Sequence, residues 1–311
     1  MHIYPNCIPC ILNMSIAAIQ GVVKGADETE EIFKKVLALP ALRGDLWDTT
    51  SAEIVEDVLK IIIEETGRED PFKGEKQRQN RRMMEIYPSL ESEVQTSRDP
   101  LLSALKLAIV GNGIDAMVSE RPSSMTEEIL ARLKEISIRE KDYGAFVSRL
   151  RRCKQLLYIG DNAGEIVTDK LLIKTIRNHF DLDVFYAVRS LPSLNDATVR
   201  DAQTVGMGEV ARVVENGIEG HLPGTIMSRC SREFQTLASE SDFIISKGGG
   251  NYETLTEERF LGKPVTYMLL SKCPVYLSHF DTPIGQPILA NYNYNHFAHP
   301  DFFLDKYKKR F

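Results

Sequence analysis

Long apolar runs are missing from this 311-residue chain. None approaches the ~18 residues needed to cross a bilayer, so no membrane partner is expected. Cysteine is scarce and odd in number: there are five, and only Cys7 and Cys10 are close in sequence. That excludes a disulfide-dense secreted scaffold and fits a reducing compartment. No Lys or Arg precedes Lys24, and Pro9, Asn13 and Gln20 interrupt the first apolar stretch. The beginning therefore lacks the form of a signal peptide, and a cytoplasmic protein is expected. Positive charge is not in excess either: 38 Lys+Arg against 44 Asp+Glu gives a net −6 and a pI near 5.7. A protein that holds nucleic-acid backbone needs a basic field, so no nucleic-acid partner is expected. Small anions remain possible ligands, because a few local donors overcome a modest global charge. Internal repeats and low-complexity segments are absent. So are the Gly-x-Ser-x-Gly elbow, the His-Glu-x-x-His pair, the Walker A order and the G-x-G-x-x-G fingerprint.

What is present reads as globular: 26% charged and 43% hydrophobic residues, in a length that suits one large or two moderate domains. Up to about residue 150 the signals are helical. Thr50 with Glu53 makes a capping box, Ile54, Val55, Val58, Leu59 and Ile62 form one apolar stripe, and Gly67 stands where a helix stops. Ile32, Phe33, Val36 and Leu37 mark an earlier amphipathic segment ending near Pro40; Leu101–Val110 and Ile129–Ile136 are later ones. From about residue 155 short apolar runs alternate with helical spacers. The runs are Leu156–Ile159, Val184–Val188, Val210–Val214, Phe243–Ile245 and Val265–Leu270. They predict parallel strands buried on both faces. The expected fold is therefore α/β: a helical domain over 1–150 and a three-layer αβα domain with a mostly parallel sheet over 151–311. The aromatic tail from Asn291 (Tyr292, Tyr294, Phe297, Phe302, Phe303) is expected to pack back on the body.

In an open α/β sheet, ligands collect beyond the carboxyl ends of the strands. After the first run comes Gly160-Asp161-Asn162-Ala163-Gly164-Glu165, whose Asp161 and Asn162 are either oxygen ligands or ordinary helix N-caps. After the second comes Arg189, then Asn195-Asp196-Ala197-Thr198, where the same two readings apply to Asp196. Asp161, Asn162 and Asp196 together would supply two carboxylates and an amide carbonyl. Such a set suits magnesium, manganese or a neighbouring divalent cation better than structural zinc. After the fourth run comes Lys247-Gly248-Gly249-Gly250, a candidate phosphate cradle of backbone N–H groups plus an ammonium, or else a flexible loop. A cation site beside a phosphate cradle is the equipment of phosphoryl chemistry.

These segments, with Cys7-Ile8-Pro9-Cys10, Asp70-Pro71-Phe72-Lys73-Gly74-Glu75-Lys76 and Gly111-Asn112-Gly113-Ile114-Asp115, closely resemble the damage-control phosphatase (ARMT-like) family, and in particular its compact, mostly prokaryotic subfamily. The resemblance spans nearly the whole chain. It implies a helical domain joined to a Rossmann-like domain with the active site between them. It also implies phosphatase activity on phosphosugars and other small phosphometabolites, with cobalt, nickel, manganese or magnesium. By motif, Asp161, Asn162 and Asp196 match metal ligands and Lys247 the residue that contacts phosphate. Asn112 and Asp115 would approach from the helical domain. Gly113 occupies a slot often filled by an aliphatic residue.

Other residues carry open alternatives. Cys7 and Cys10 read as a metal or redox pair, or as packing residues or a local disulfide. Glu165 reads as a general base, an orienter of the metal's water, or a partner of the helix dipole. Arg189 reaches phosphate or pairs with a carboxylate. Asp70 and Lys76 meet the substrate or start a helix. The histidines show no ligand spacing. Two rival functions stand beside the phosphatase: a carboxyl methyltransferase using S-adenosylmethionine, and a non-catalytic phosphometabolite sensor.

Overall fold

The computed structural model describes residues 1–113, 122–257 and 262–293, the side chains of 122–124 excepted. The first half is helical: α1 (Cys7–Val22), α2 (Ala26–Leu37), α3 (Pro40–Arg43), α4 (Ser51–Thr66), α5 (Lys73–Thr96), α6 (Pro100–Gly111), α7 (Pro122–Glu135) and α8 (Glu140–Leu150). Helix α4 begins and ends on the expected signals. Thr50 and Glu53 form a reciprocal capping box, and Gly67, at φ 63°, closes the last turn in the left-handed region.

These helices serve two cores. Ile19, Ile32, Val36, Val58, Leu59 and Ile62 bury the apolar stripes of α1, α2 and α4 against one another. Helices α5 to α8 instead contribute to the core on one face of the sheet, through Met83, Leu105, Ile109, Met125 and Phe146. Helix α6 is apolar almost all round because α9 (Glu165–His179), α5, α7 and the sheet enclose it.

The sheet contains β1 (Gln155–Ile159), β2 (Asp183–Val188), β3 (Arg212–Glu215), β4 (Phe243–Lys247), β5 (Val265–Leu270) and β6 (Pro287–Tyr292), in the order β3-β2-β1-β4-β5-β6. All neighbours are parallel except β5 and β6. Successive residues alternate between two cores, as the pleat requires. Leu156, Tyr158, Tyr186 and Ile245 join the α5–α9 side. Leu157, Ile159, Ile244 and Tyr267 face the side of α11 (Arg232–Glu240), α12 (Gly249–Leu255) and α13 (Pro274–Phe280). The result is three layers.

Two details differ from the sequence expectation. Strand β3 starts two residues late, because Val210 closes a 3-10 turn over Met207–Glu209. Strand β6 was not anticipated; it places Asn291 and Tyr292 in the sheet edge, while Tyr294, Phe297, Phe302 and Phe303 lie outside the described residues. Among the described residues, no helix is long and apolar enough to cross a membrane. The order reverses between β1 and β4. That switch point opens a crevice past their carboxyl ends.

Candidate functional site

The chain leaves β1 through Gly160-Asp161-Asn162 and β2 through the loop that holds Asp196. The two loops are stitched together: Ala163 N donates to Asn195 O (2.8 Å), Ala197 N donates to Asp161 O (2.7 Å), and Arg189 N donates to Ala197 O (3.0 Å). Capping does not explain their polar side chains. Helix α9 is preceded by Gly164 with no side-chain cap, and α10 (Val199–Thr204) is capped by Thr198 with Asp201. Asp161, Asn162 and Asp196 line one cavity of about 370 Å³, together with Asn112, Gly249 and Gly250.

The acids are almost fully buried, Asp161 at 7% and Asp196 at 3% exposure. Asp161 Oδ2 accepts from Asn112 Nδ2 (3.1 Å) and Asn162 Nδ2 (2.9 Å). The same two amides donate to Glu165 Oε2, at 2.9 and 3.2 Å. With Nδ2 committed to two carboxylates, Asn162 keeps its carbonyl Oδ1 for another partner. Arg189 Nε donates to Asp196 Oδ2 (2.6 Å), and its Nη1 donates to Gly224 O, Thr225 Oγ1 and Asn251 Oδ1. Arg189 Nη2 is buried without a hydrogen-bond partner, 3.8 Å from Asp161 Oδ1. Burial, then Asp196 and Glu165, push the Asp161 carboxyl well above the ordinary range. Burial also raises Asp196, against the pull of Arg189. Asp161, Glu165, Asp169 and Asp196 are paired within this cluster with Lys247 and Arg189, and Lys272 and Lys76 act on Asp161 and Asp196 from further off, which still leaves negative charge in excess.

Lys247 departs from the phosphate-clamping expectation. It has no exposed surface, and its ammonium is spent on Ala108 O (2.8 Å), Asp169 Oδ1 (2.6 Å) and Glu165 Oε1. Gly248, at φ 76°, packs against the Asp161 carboxylate so closely that a Cβ would overlap it. Asp115 lies outside the described residues. Lys76 is buried and pairs with Asp70 Oδ2 (2.9 Å), with Asp201 Oδ2 at 3.8 Å. Neither Asp70 nor Lys76 lines the cavity.

Lys272 and Glu253, also on the cavity wall, had no expected role. Lys272, exposed just past β5, lies near enough to Asp161 to favour its charged form. Glu253 is held by Tyr276 OH (2.7 Å) and by Ser51 Oγ of α4. Cys7, Cys10 and Cys273 are free thiols here, and burial raises Cys7 and Cys10. Among the described residues, no group of three or more His, Cys, Asp or Glu side chains is arranged to hold a metal. The candidate set is instead two carboxylates and an amide.

A doubly wound α/β sheet with buried oxygen donors gathered past its switch point defines a class of small-ligand cleft proteins. Within that class, the chain matches the damage-control phosphatase ARMT1-like domain over residues 3–287. It belongs to that family. A Pyrococcus horikoshii protein named a damage-control phosphatase is 28% identical over 299 residues, 92% of this chain and 96% of that protein. An Archaeoglobus fulgidus protein of the same name is 29% identical over 293 residues, covering 93% and 98%. The crystal structure of a DUF89 family protein from P. horikoshii superimposes with a TM-score of 0.83 at 26% identity, covering 93% of this chain and 98% of that one.

Proposed function

We propose that this protein is a divalent-metal-dependent phosphatase acting on small phosphate esters, phosphosugars or damaged phosphometabolites. One observation carries the reading: Asp161, Asn162 and Asp196, from two stitched loops, share a cavity with Lys272 and the start of α12. The names of the relatives support the phosphatase part of this reading.

The donor set fits a hard cation. Asp161 and Asp196 offer carboxylate oxygens, Asn162 its Oδ1, and the excess negative charge calls for a positive one. Those three residues would hold manganese, cobalt, nickel or magnesium. Such an ion, when bound, withdraws charge from a phosphoryl oxygen and lowers the pKa of a bound water. The protein's own groups do the rest. Lys272 draws the phosphate to the cleft as a mobile point charge. Gly249 and Gly250 open α12 without side chains, so its first N–H groups can face an anion. A cavity of about 370 Å³ admits a small metabolite and excludes a folded partner.

The test is phosphate release from a panel of phosphosugars and other small phosphate esters. Activity is expected with added Mn²⁺ or Co²⁺, lost on chelation, restored by the metal and absent in Asp161→Ala. Saturable S-adenosylmethionine binding without phosphate release would support the methyltransferase instead.

A further inference from the structure

Lys247 ends β4 with an ammonium that has three protons to give. Ala108 O, Asp169 Oδ1 and Glu165 Oε1 are its three acceptors. A lysine saturated in this way has no donor left for a phosphate. Withdrawing it would also strand two buried anions.

Its surroundings form a chain with a fixed end and a working end. At the fixed end, Asp169 accepts from Tyr158 OH (2.7 Å) and Tyr186 OH (2.9 Å) as well as from Lys247. At the working end, Glu165 gives Oε1 to Lys247 and Oε2 to the Nδ2 groups of Asn112 and Asn162. An amide that donates through Nδ2 presents Oδ1 on its other side. A flipped Asn162 would turn N–H donors toward a cation and lose its bonds to Asp161 and Glu165.

We propose that Lys247 is a positioning residue: anchored on Asp169 and Ala108, it fixes the Glu165 carboxylate, and Glu165 fixes the Asn162 amide with Oδ1 toward a divalent cation. The inference rests on the metal-dependent reading above. It separates two lysines at strand ends in this sheet, Lys247 closing β4 and Lys272 just past β5. Lys247 orders the ligands from behind, and Lys272 faces the phosphate.

The experiment measures Mn²⁺ binding to the full chain, without substrate, by calorimetry and by the electron paramagnetic resonance spectrum of the bound ion. Lys247→Met is expected to weaken Mn²⁺ binding by about 10–100-fold, the range seen when a partner behind a ligand is removed. The spectrum of the remaining bound ion is expected to change. Lys272→Gln is expected to change Mn²⁺ affinity far less than Lys247→Met does and to weaken inorganic phosphate binding to the Mn²⁺-loaded protein. The proposal is overturned if Lys247→Met binds Mn²⁺ like the wild type and loses phosphate instead. Should Lys247→Met fail to fold, Glu165→Gln decides: weakened Mn²⁺ binding supports the chain of contacts, and wild-type binding overturns it. A wild-type protein that binds Mn²⁺ but releases no phosphate counts against the phosphatase alone.

Discussion

Asn162 and Asp196 face each other across an isolated antiparallel bridge, thirty-four positions apart in sequence and adjacent in space. The loops that leave β1 and β2 are thereby one piece of backbone. Their side chains cannot drift apart independently, so two buried acids are held together despite their repulsion. Holding like charges in place without reorganisation is what a cation site needs.

Gly248 is the most direct test of how tightly that piece is packed. An added Cβ would sit at positive φ with extended ψ, a region nearly confined to glycine, at about 1–3 kcal/mol, and would also overlap the Asp161 carboxylate. Gly248→Ala is expected to lose Mn²⁺ binding and phosphate release together. Gly44 supplies the control: it has φ 87° but nothing within 4 Å of an added Cβ. Gly44→Ala is expected to lower stability by about 1 kcal/mol in denaturant melts and leave Mn²⁺ binding intact.

Arg189 orients Asp196 and partly offsets the charge of both acids. Arg189→Met is expected to weaken Mn²⁺ binding by about 10–100-fold in calorimetry. Lys at this position keeps the charge but not the fork that reaches Asp196 and Asn251 at once. Arg189→Lys should therefore fall between the wild type and Arg189→Met. Wild-type affinity in Arg189→Met would show that the guanidinium is irrelevant to the cation.

The response to pH follows from burial. Desolvation raises the carboxyls of Asp161, Asp169 and Asp196, and Asp169 is pushed from 3.8 up to about 6. A raised carboxyl stabilises the fold fully below its unfolded pKa and loses that contribution as pH rises through the folded one. For Asp169 the window runs from 3.8 to about 6. The metal-free protein thus gives up stability as these groups ionise. A cation that binds ionised Asp161 and Asp196 offsets the loss. Thermal melts should show a larger stabilisation by Mn²⁺ at pH 7 than at pH 5. Equal shifts at both would contradict the assignment.

The helical core that carries one wall of the cleft is separable from the chemistry. Ile62 is fully buried in α4 among Ile19, Val58 and Leu59. Ile62→Ala is expected to cost about 2–5 kcal/mol in denaturant melts. Mn²⁺ affinity at low temperature should stay at the wild-type level.

Much of the sheet could be read from residue order because β1, β2, β4 and β5 are buried on both faces and therefore appear as unbroken apolar runs. Strand β6 hid because it is an antiparallel edge that starts at Pro287 and carries Asn291, a pattern that resembles a loop. The carboxylates were legible for a topological reason: Asp161 follows β1, which flanks the switch point, and Asp196 follows β2, its neighbour on that side. Lys247 misled because a lysine before three glycines looks exposed. Only the fold shows Glu165 and Asp169, one turn apart on α9, closing over it. Lys272 left no pattern of its own, though the strand-end rule extended to β5 reaches Ser271-Lys272-Cys273.

Anomalous diffraction from crystals soaked with Mn²⁺ and inorganic phosphate tests the central claim most directly. The account predicts one strong peak per chain, ligated by oxygens of Asp161, Asn162 and Asp196, with the phosphate between that peak and Lys272. A peak bound by Cys7 and Cys10, or a phosphate seated on Lys247, would contradict it.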